Sequence, residues 1–296
     1  MTGSTIYILL GMRFIVRESF FWTNTIWYVL LGGLTALELM VIFAKNKKRK
    51  FILAYYLTFT GITLFFETLL FIVFRAYYYY PMIIQSSSFD DALAGNLFSQ
   101  FSLGATALLV AVFNLENCWI LMFAGIYGII EKLFLALGIY KHYWYQTWMT
   151  LFAMTIFFWW AKKYYQKTLK GIKPFWHYFN IFFALFALDV VTLLWGFILS
   201  GYQNYSTQFI PDPTGSPYVL AVLYYILLAS TLMLIYFYKL SWLWKTIIIL
   251  ALYGVDYLAY CTGIIYIKEG WFLIFSTATI FGMYYSIILL DRLYKK

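Results

Sequence analysis

Carboxylates set inside apolar runs are the residues of this chain best placed to do chemistry. Glu131 lies in Tyr127-Gly-Ile-Ile-Glu-Lys-Leu-Phe-Leu-Ala-Leu-Gly138-Ile-Tyr140, and Asp256 in Tyr253-Gly-Val-Asp-Tyr-Leu-Ala-Tyr-Cys-Thr-Gly263-Ile-Ile-Tyr266, with the same spacing from acid to glycine. Glu67 and Asp189 form a second pair, and Glu38 is a fifth acid in such a run. An acid at the centre of a membrane helix costs about 2.5 to 3.5 kcal/mol on insertion scales, so a repeated one calls for a partner or a function. Around a water-accessible cavity, Glu131, Asp256, Glu67 and Asp189 would bind a proton, a cation or a cationic small substrate. The competing expectation is structural: carboxyls bonded to tyrosine and threonine hydroxyls hold helices together, and the chain has 29 tyrosines. Lys132 directly follows Glu131, so on a helix it points about 100° away and is expected to pair with an acid of another helix. Glu38 sits near the end of its run, within reach of the headgroups if its side chain extends, and for it the structural expectation is the stronger.

Apolar elements must position these groups. Of the 296 residues 64% are hydrophobic and 11% charged, with a mean hydropathy of +0.78. A soluble domain carries about 45–50% apolar and about 25% charged residues. Apolar spans run over 20–44, 51–76, 96–114, 117–139, 144–161, 175–200, 218–238, 245–267 and 271–290. Each approaches the roughly 20 residues that cross ~30 Å of hydrocarbon. The expected fold class is an all-α membrane protein of about nine transmembrane helices, with the lipid bilayer as its partner.

Orientation explains the formal charge of +9. When the spans alternate, 15 of the 21 basic residues fall on one side, among them Lys45, Lys47, Lys48, Arg49 and Lys50. That side reads as cytoplasmic, and no nucleic-acid partner is needed. The N-terminus is then outside and the C-terminus inside. Residues 1–18 read as an interfacial or partly inserted helix. Tyr77 to Tyr80 fall where an interfacial aromatic belt belongs, and 77–95 and 201–217 read as long outer loops.

With residues 1–50 set aside as the interfacial helix and first span, residues 51–170 and 171–296 each hold four spans. They read as two parallel four-helix repeats related by an axis along the membrane normal. Trp119 and Trp244, Glu131 and Asp256, and Gly138 and Gly263 match at an offset of 125, and Glu67 and Asp189 at 122. The segment from Glu131 to Trp148 also resembles a group of small uncharacterised integral membrane proteins of spore-forming Gram-positive bacteria. Those are single units of four or five helices with an acid, a Gly-Ile-Tyr turn and a tryptophan-rich start to the last helix. The second half departs from them, with Lys268-Glu-Gly-Trp271 in place of Lys141-His-Tyr-Trp144. The resemblance implies a bacterial plasma membrane and brings no activity with it.

Little else is shaped for catalysis. His142 and His177 stand at span ends on opposite sides and cannot share a metal; His142, beside Tyr143 and Trp144, is expected at the interface. Cys118 and Cys261 stand alone in apolar runs and are expected to be small buried hydrophobes. No nucleophile elbow, zinc-protease or phosphate-loop motif occurs, so no catalytic residue, metal site or cofactor is assigned. The sequence fits a transporter-like scaffold with carboxylates in a central cavity. The alternatives are a non-catalytic sensor or assembly subunit and an intramembrane enzyme acting on a lipid. The ligand and the oligomeric state are left open.

Overall fold

The computed structural model describes residues 20–84, 87–189, 191–192, 202–205, 216–238 and 240–295. The helix expected over residues 1–18 and most of the 201–217 loop lie outside the described residues. Among those described are nine helices: α1 (Ile26–Lys45), α2 (Arg49–Glu67), α3 (Ser88–Val112), α4 (Asn117–Ala136), α5 (Thr147–Leu169), α6 (Pro174–Asp189), α7 (Ser216–Phe237), α8 (Trp242–Cys261) and α9 (Phe272–Tyr294). Seven of them are long and apolar enough to cross a bilayer, and the chain is a multi-pass membrane protein. The other two are α6, described over only 16 residues, and α5, which carries Lys162, Lys163 and Lys167 in its last turns.

Four three-residue strands escaped the sequence reading: β1 (Tyr77–Tyr79), β2 (Tyr140–His142), β3 (Gln203–Tyr205) and β4 (Ile265–Ile267). β1 pairs antiparallel with β2, placing Tyr77 opposite His142 and Tyr79 opposite Tyr140. β3 pairs antiparallel with β4, placing Gln203 opposite Ile267 and Tyr205 opposite Ile265. All four lie at one end of the bundle, the strand end; the turns rich in lysine and arginine gather at the other, the basic end. The long loop expected over 77–95 is corrected accordingly. β1 occupies its start, and α3 begins at Ser88 because the Ser87 hydroxyl accepts from the Asp90 amide as an N-cap. α4 and α8 end where Gly138 (φ +71°) and Gly263 (φ +74°) take the left-handed conformation. Glycine enters it at little steric cost and turns the chain back into β2 and β4.

α2 and α6 lie side by side at the centre of the bundle. Gly61 permits their contact, since a Cβ there would overlap the Phe183 carbonyl. One turn away Thr58 Oγ1 donates to the Asn180 carbonyl at 3.2 Å, so the two helices run in the same direction. Tyr294 of α9 donates to the Ala54 carbonyl at 2.7 Å with its hydroxyl oxygen against that of Thr58, and Tyr164 of α5 donates to Asn180 Oδ1 at 2.7 Å. The buried polar groups of this contact are therefore paired, as a low-dielectric interior demands.

α1 packs along α3, and 72% of the apolar window of α3 is enclosed against 11% for α8. Open apolar faces of this kind meet acyl chains in a bilayer. The same fact corrects the cysteine expectation: Cys118 at the start of α4 and Cys261 at the end of α8 are both exposed. An apolar neighbourhood in a membrane helix marks the lipid face as readily as the core.

Candidate functional site

Glu67 ends α2 directly before a π-helical turn, Thr68–Val73, that carries the chain toward β1. Strand alternation then buries Tyr77 and Tyr79 and leaves Tyr78 and Tyr80 part exposed. Tyr77 donates to Glu67 Oε2 at 2.6 Å and Tyr79 to Oε1 at 3.2 Å. The belt expectation is thus corrected for two of the four tyrosines, which serve a carboxylate instead of the headgroups. Burial first, and then the Glu67 carboxylate, hold both phenols well above their ordinary pKa, so they remain protonated donors.

Glu131 reaches the same region from α4. Thr150 of α5 donates to its Oε2. His142 of β2 brings Nε2 to 3.0 Å from Oε1, within ion-pair distance, and neither atom has another hydrogen-bond partner among the described residues. Burial lowers the His142 pKa, and the Glu131 carboxylate opposes that shift. His142, just beyond the end of α4, is therefore part of the acid cluster as well. Sequence reasoning missed it because only the β1–β2 pairing brings it there. Glu67 and Glu131 line one cavity of about 90 Å³ together with Gln100, Tyr127 and Tyr145, which is room for water or one small cation.

A hydrogen-bonded chain leads from this cavity toward the basic end. Ser102 and Thr106 hydroxyls each lie 2.8 Å from the Tyr127 hydroxyl. Thr106 Oγ1 donates to Glu38, with its two oxygens at 2.8 and 3.0 Å. Donation in the order Ser102, Tyr127, Thr106, Glu38 uses each hydroxyl proton once. Glu38 is 7% exposed. It turns into the bundle toward α3 and does not extend to the headgroups, because Thr106 supplies a partner on the spot.

A second cavity, about 640 Å³, shares Glu67, Tyr77, Gln100 and Tyr145 with the first and extends along a largely aromatic wall to Phe179 and Phe183 of α6. Asp256 and Asp189 stand in the other half. Tyr224 of α7 donates to Asp256 at 2.6 Å, and Ser276 of α9 bonds it as well. Asp189, at the end of α6, keeps Oδ2 without a hydrogen-bond partner among the described residues. The structure thus brings Glu67 and Glu131 to one space, and no described hydrogen bond or ion pair joins them to Asp189 or Asp256. Lys132 is exposed, and no carboxylate among the described residues lies within ion-pair distance of it. Its expected pairing is corrected by the helical turn that points Glu131 inward and the next residue out. Compared with protein-family models, curated proteins and solved structures, the chain matches none.

Proposed function

We propose that the chain is a transporter-like membrane protein in which Glu67 and Glu131 hold a proton or small cation in the strand-end cavity. One observation carries this reading: carboxylates from two separate helices line the same small cavity. Negative groups around so small a volume favour a bound proton or cation between them. The Ser102–Tyr127–Thr106–Glu38 chain offers a proton a path deeper into the bundle.

An internal duplication supports the same architecture. Tyr77 and Gln203, and Tyr79 and Tyr205, hold matching strand positions at an offset of 126; their partners His142 and Ile267 match at 125. Thr58 meets Asn180 and Gly61 meets Phe183, both at an offset of 122, as helices related by a twofold axis would where they touch across it. Two parallel four-helix repeats, 51–170 and 171–296, after a first span within 1–50, account for these matches. Nine crossings would then put the basic end in the cytoplasm and the N-terminus outside. The likeness of Glu131–Trp148 to small bacterial membrane proteins favours a bacterial plasma membrane. In this scheme Asp256 answers to Glu131 and Asp189 to Glu67. Ile267 stands where the first half has His142, so the first half carries the fuller acid–base set.

Reconstitution of Glu67→Gln, Glu131→Gln and Asp256→Asn in proteoliposomes tests the proposal, with proton and alkali-cation flux read alongside melting temperature in detergent. Lost flux at unchanged melting temperature in the first two supports the site. Lowered melting temperature in a protein that conducts neither ion makes the acids helix glue. The large aromatic-walled cavity beside Glu67 favours a second reading, a cation with an apolar body, which competition by tetraphenylphosphonium distinguishes from a bare ion.

A further inference from the structure

A cavity of about 830 Å³ lies at the basic end, far along the bundle from Glu67 and Glu131, and α2, α6, α7, α8, α9 and the 170–173 turn all contribute to it. Asp291 of α9 forms its floor at 3% exposure. Three groups converge on that carboxylate: His177 Nε2 of α6 at 2.7 Å, the Tyr236 hydroxyl of α7 at 2.8 Å and Lys295 one turn on. With both oxygens engaged and one lysine beside it, the negative charge is answered locally.

Lys245 of α8 also lines this cavity, is half-buried, and has no carboxylate within ion-pair distance among the described residues. Two lysines against one aspartate leave the wall net positive even with His177 neutral. A half-buried cation without a counter-charge is a standing attraction for an anion. Depth narrows the choice. The lining residues come from helix ends: Phe51 and Tyr55 begin α2, Pro174 and His177 begin α6, and Asp291 and Lys295 end α9. Those are positions at the headgroup level of a bilayer. The volume exceeds what a bare oxyanion fills, and Phe51, Ile172 and Phe237 give it an apolar side that suits the glycerol and upper acyl carbons of a lipid.

The geometry points to a binding site for an anionic, phosphate-bearing headgroup between the two halves at the basic end. Lys245 meets the phosphate, and Asp291 fixes His177, Tyr236 and Lys295 around it. The site is independent of the strand-end carboxylates and stands whether or not they carry ions.

The full chain purified in detergent tests it, by native mass spectrometry and melting temperature with added phosphatidylglycerol, phosphatidylcholine or inorganic phosphate. Phosphatidylglycerol is expected to be retained and to raise the melting temperature, and phosphatidylcholine is not. Lys245→Gln should weaken that retention about fivefold, the equivalent of about 1 kcal/mol for one basic residue near an anionic headgroup. Lys141→Gln, an exposed strand-end change, should leave it intact. Inorganic phosphate protecting as well as the lipid, with the same dependence on Lys245, upholds the phosphate site and assigns it a free anion. Equal retention of the two lipids, or a phosphatidylglycerol preference unchanged in Lys245→Gln, overturns the proposal.

Discussion

His142 faces Glu131 across 3.0 Å, and that arrangement has a pH signature. Burial depresses its pKa below the ordinary value of about 6.5. A depressed histidine contributes stability that is present above its unfolded pKa and is lost as pH falls through the lower folded value. The melting temperature of the wild type should therefore fall relative to His142→Gln as pH drops from neutral to well below the ordinary histidine range; a gap independent of pH would refute this. Asp91 gives a second residue-scale expectation. Its carboxylate accepts the amides of Met82, Ile83 and Ile84 at 2.9, 2.6 and 2.9 Å, fixing the loop that follows β1. Asp91→Asn should cost about 1.5 to 3 kcal/mol, the worth of hydrogen bonds to a charged group, with faster hydrogen exchange confined to residues 82–84. The sequence announced the acids, because a carboxylate in an apolar run has few innocent explanations. It hid their partners. Tyr77 and Tyr79 looked like belt residues because composition says where a tyrosine lies along a span and nothing about which way a three-residue strand turns it.

Helices follow from apolar length, so the all-helical class and the order of the described helices were legible, while their ends were set by particular residues that hydropathy ignores. Ser87 moved the start of α3 eight residues earlier than the apolar run suggested. The strands were too short to show alternation and form only by pairing with segments some 60 residues away. The apolar runs carried both spans past the repeated Gly-Ile pair, where the helices in fact turn back at Gly138 and Gly263. Gly138 and Gly263 have open space where a Cβ would go, so alanine there meets backbone strain alone. Gly138→Ala and Gly263→Ala should each destabilise by about 1 to 2 kcal/mol in thermal unfolding. A large difference between them would argue against equivalent turns. Gly61→Ala is a different case, because its methyl group must displace the Phe183 backbone. Separation of α2 from α6 should cost about 1 to 3 kcal/mol or more, and should appear as a lowered melting temperature with secondary structure retained.

On the scale of the whole molecule, charge and helix count together make one claim about sidedness that the two cysteines can test without new reporter sites. Cys118 is exposed at the basic end, where α4 begins, and Cys261 is exposed at the strand end, where α8 finishes. With the basic end in the cytoplasm, a membrane-impermeant maleimide added to intact cells should label Cys118→Ser, which retains Cys261, and should spare Cys261→Ser until the membrane is permeabilised. The reverse pattern would invert the orientation and leave the repeats parallel. Labelling of both cysteines from one side has a deeper consequence. It would mean that an odd number of crossings does not separate residue 118 from residue 261, so α5 or α6 fails to span. The two halves would then face opposite ways, and the in-register contact of Thr58 with Asn180 would be an accident of packing rather than the mark of a duplicated bundle.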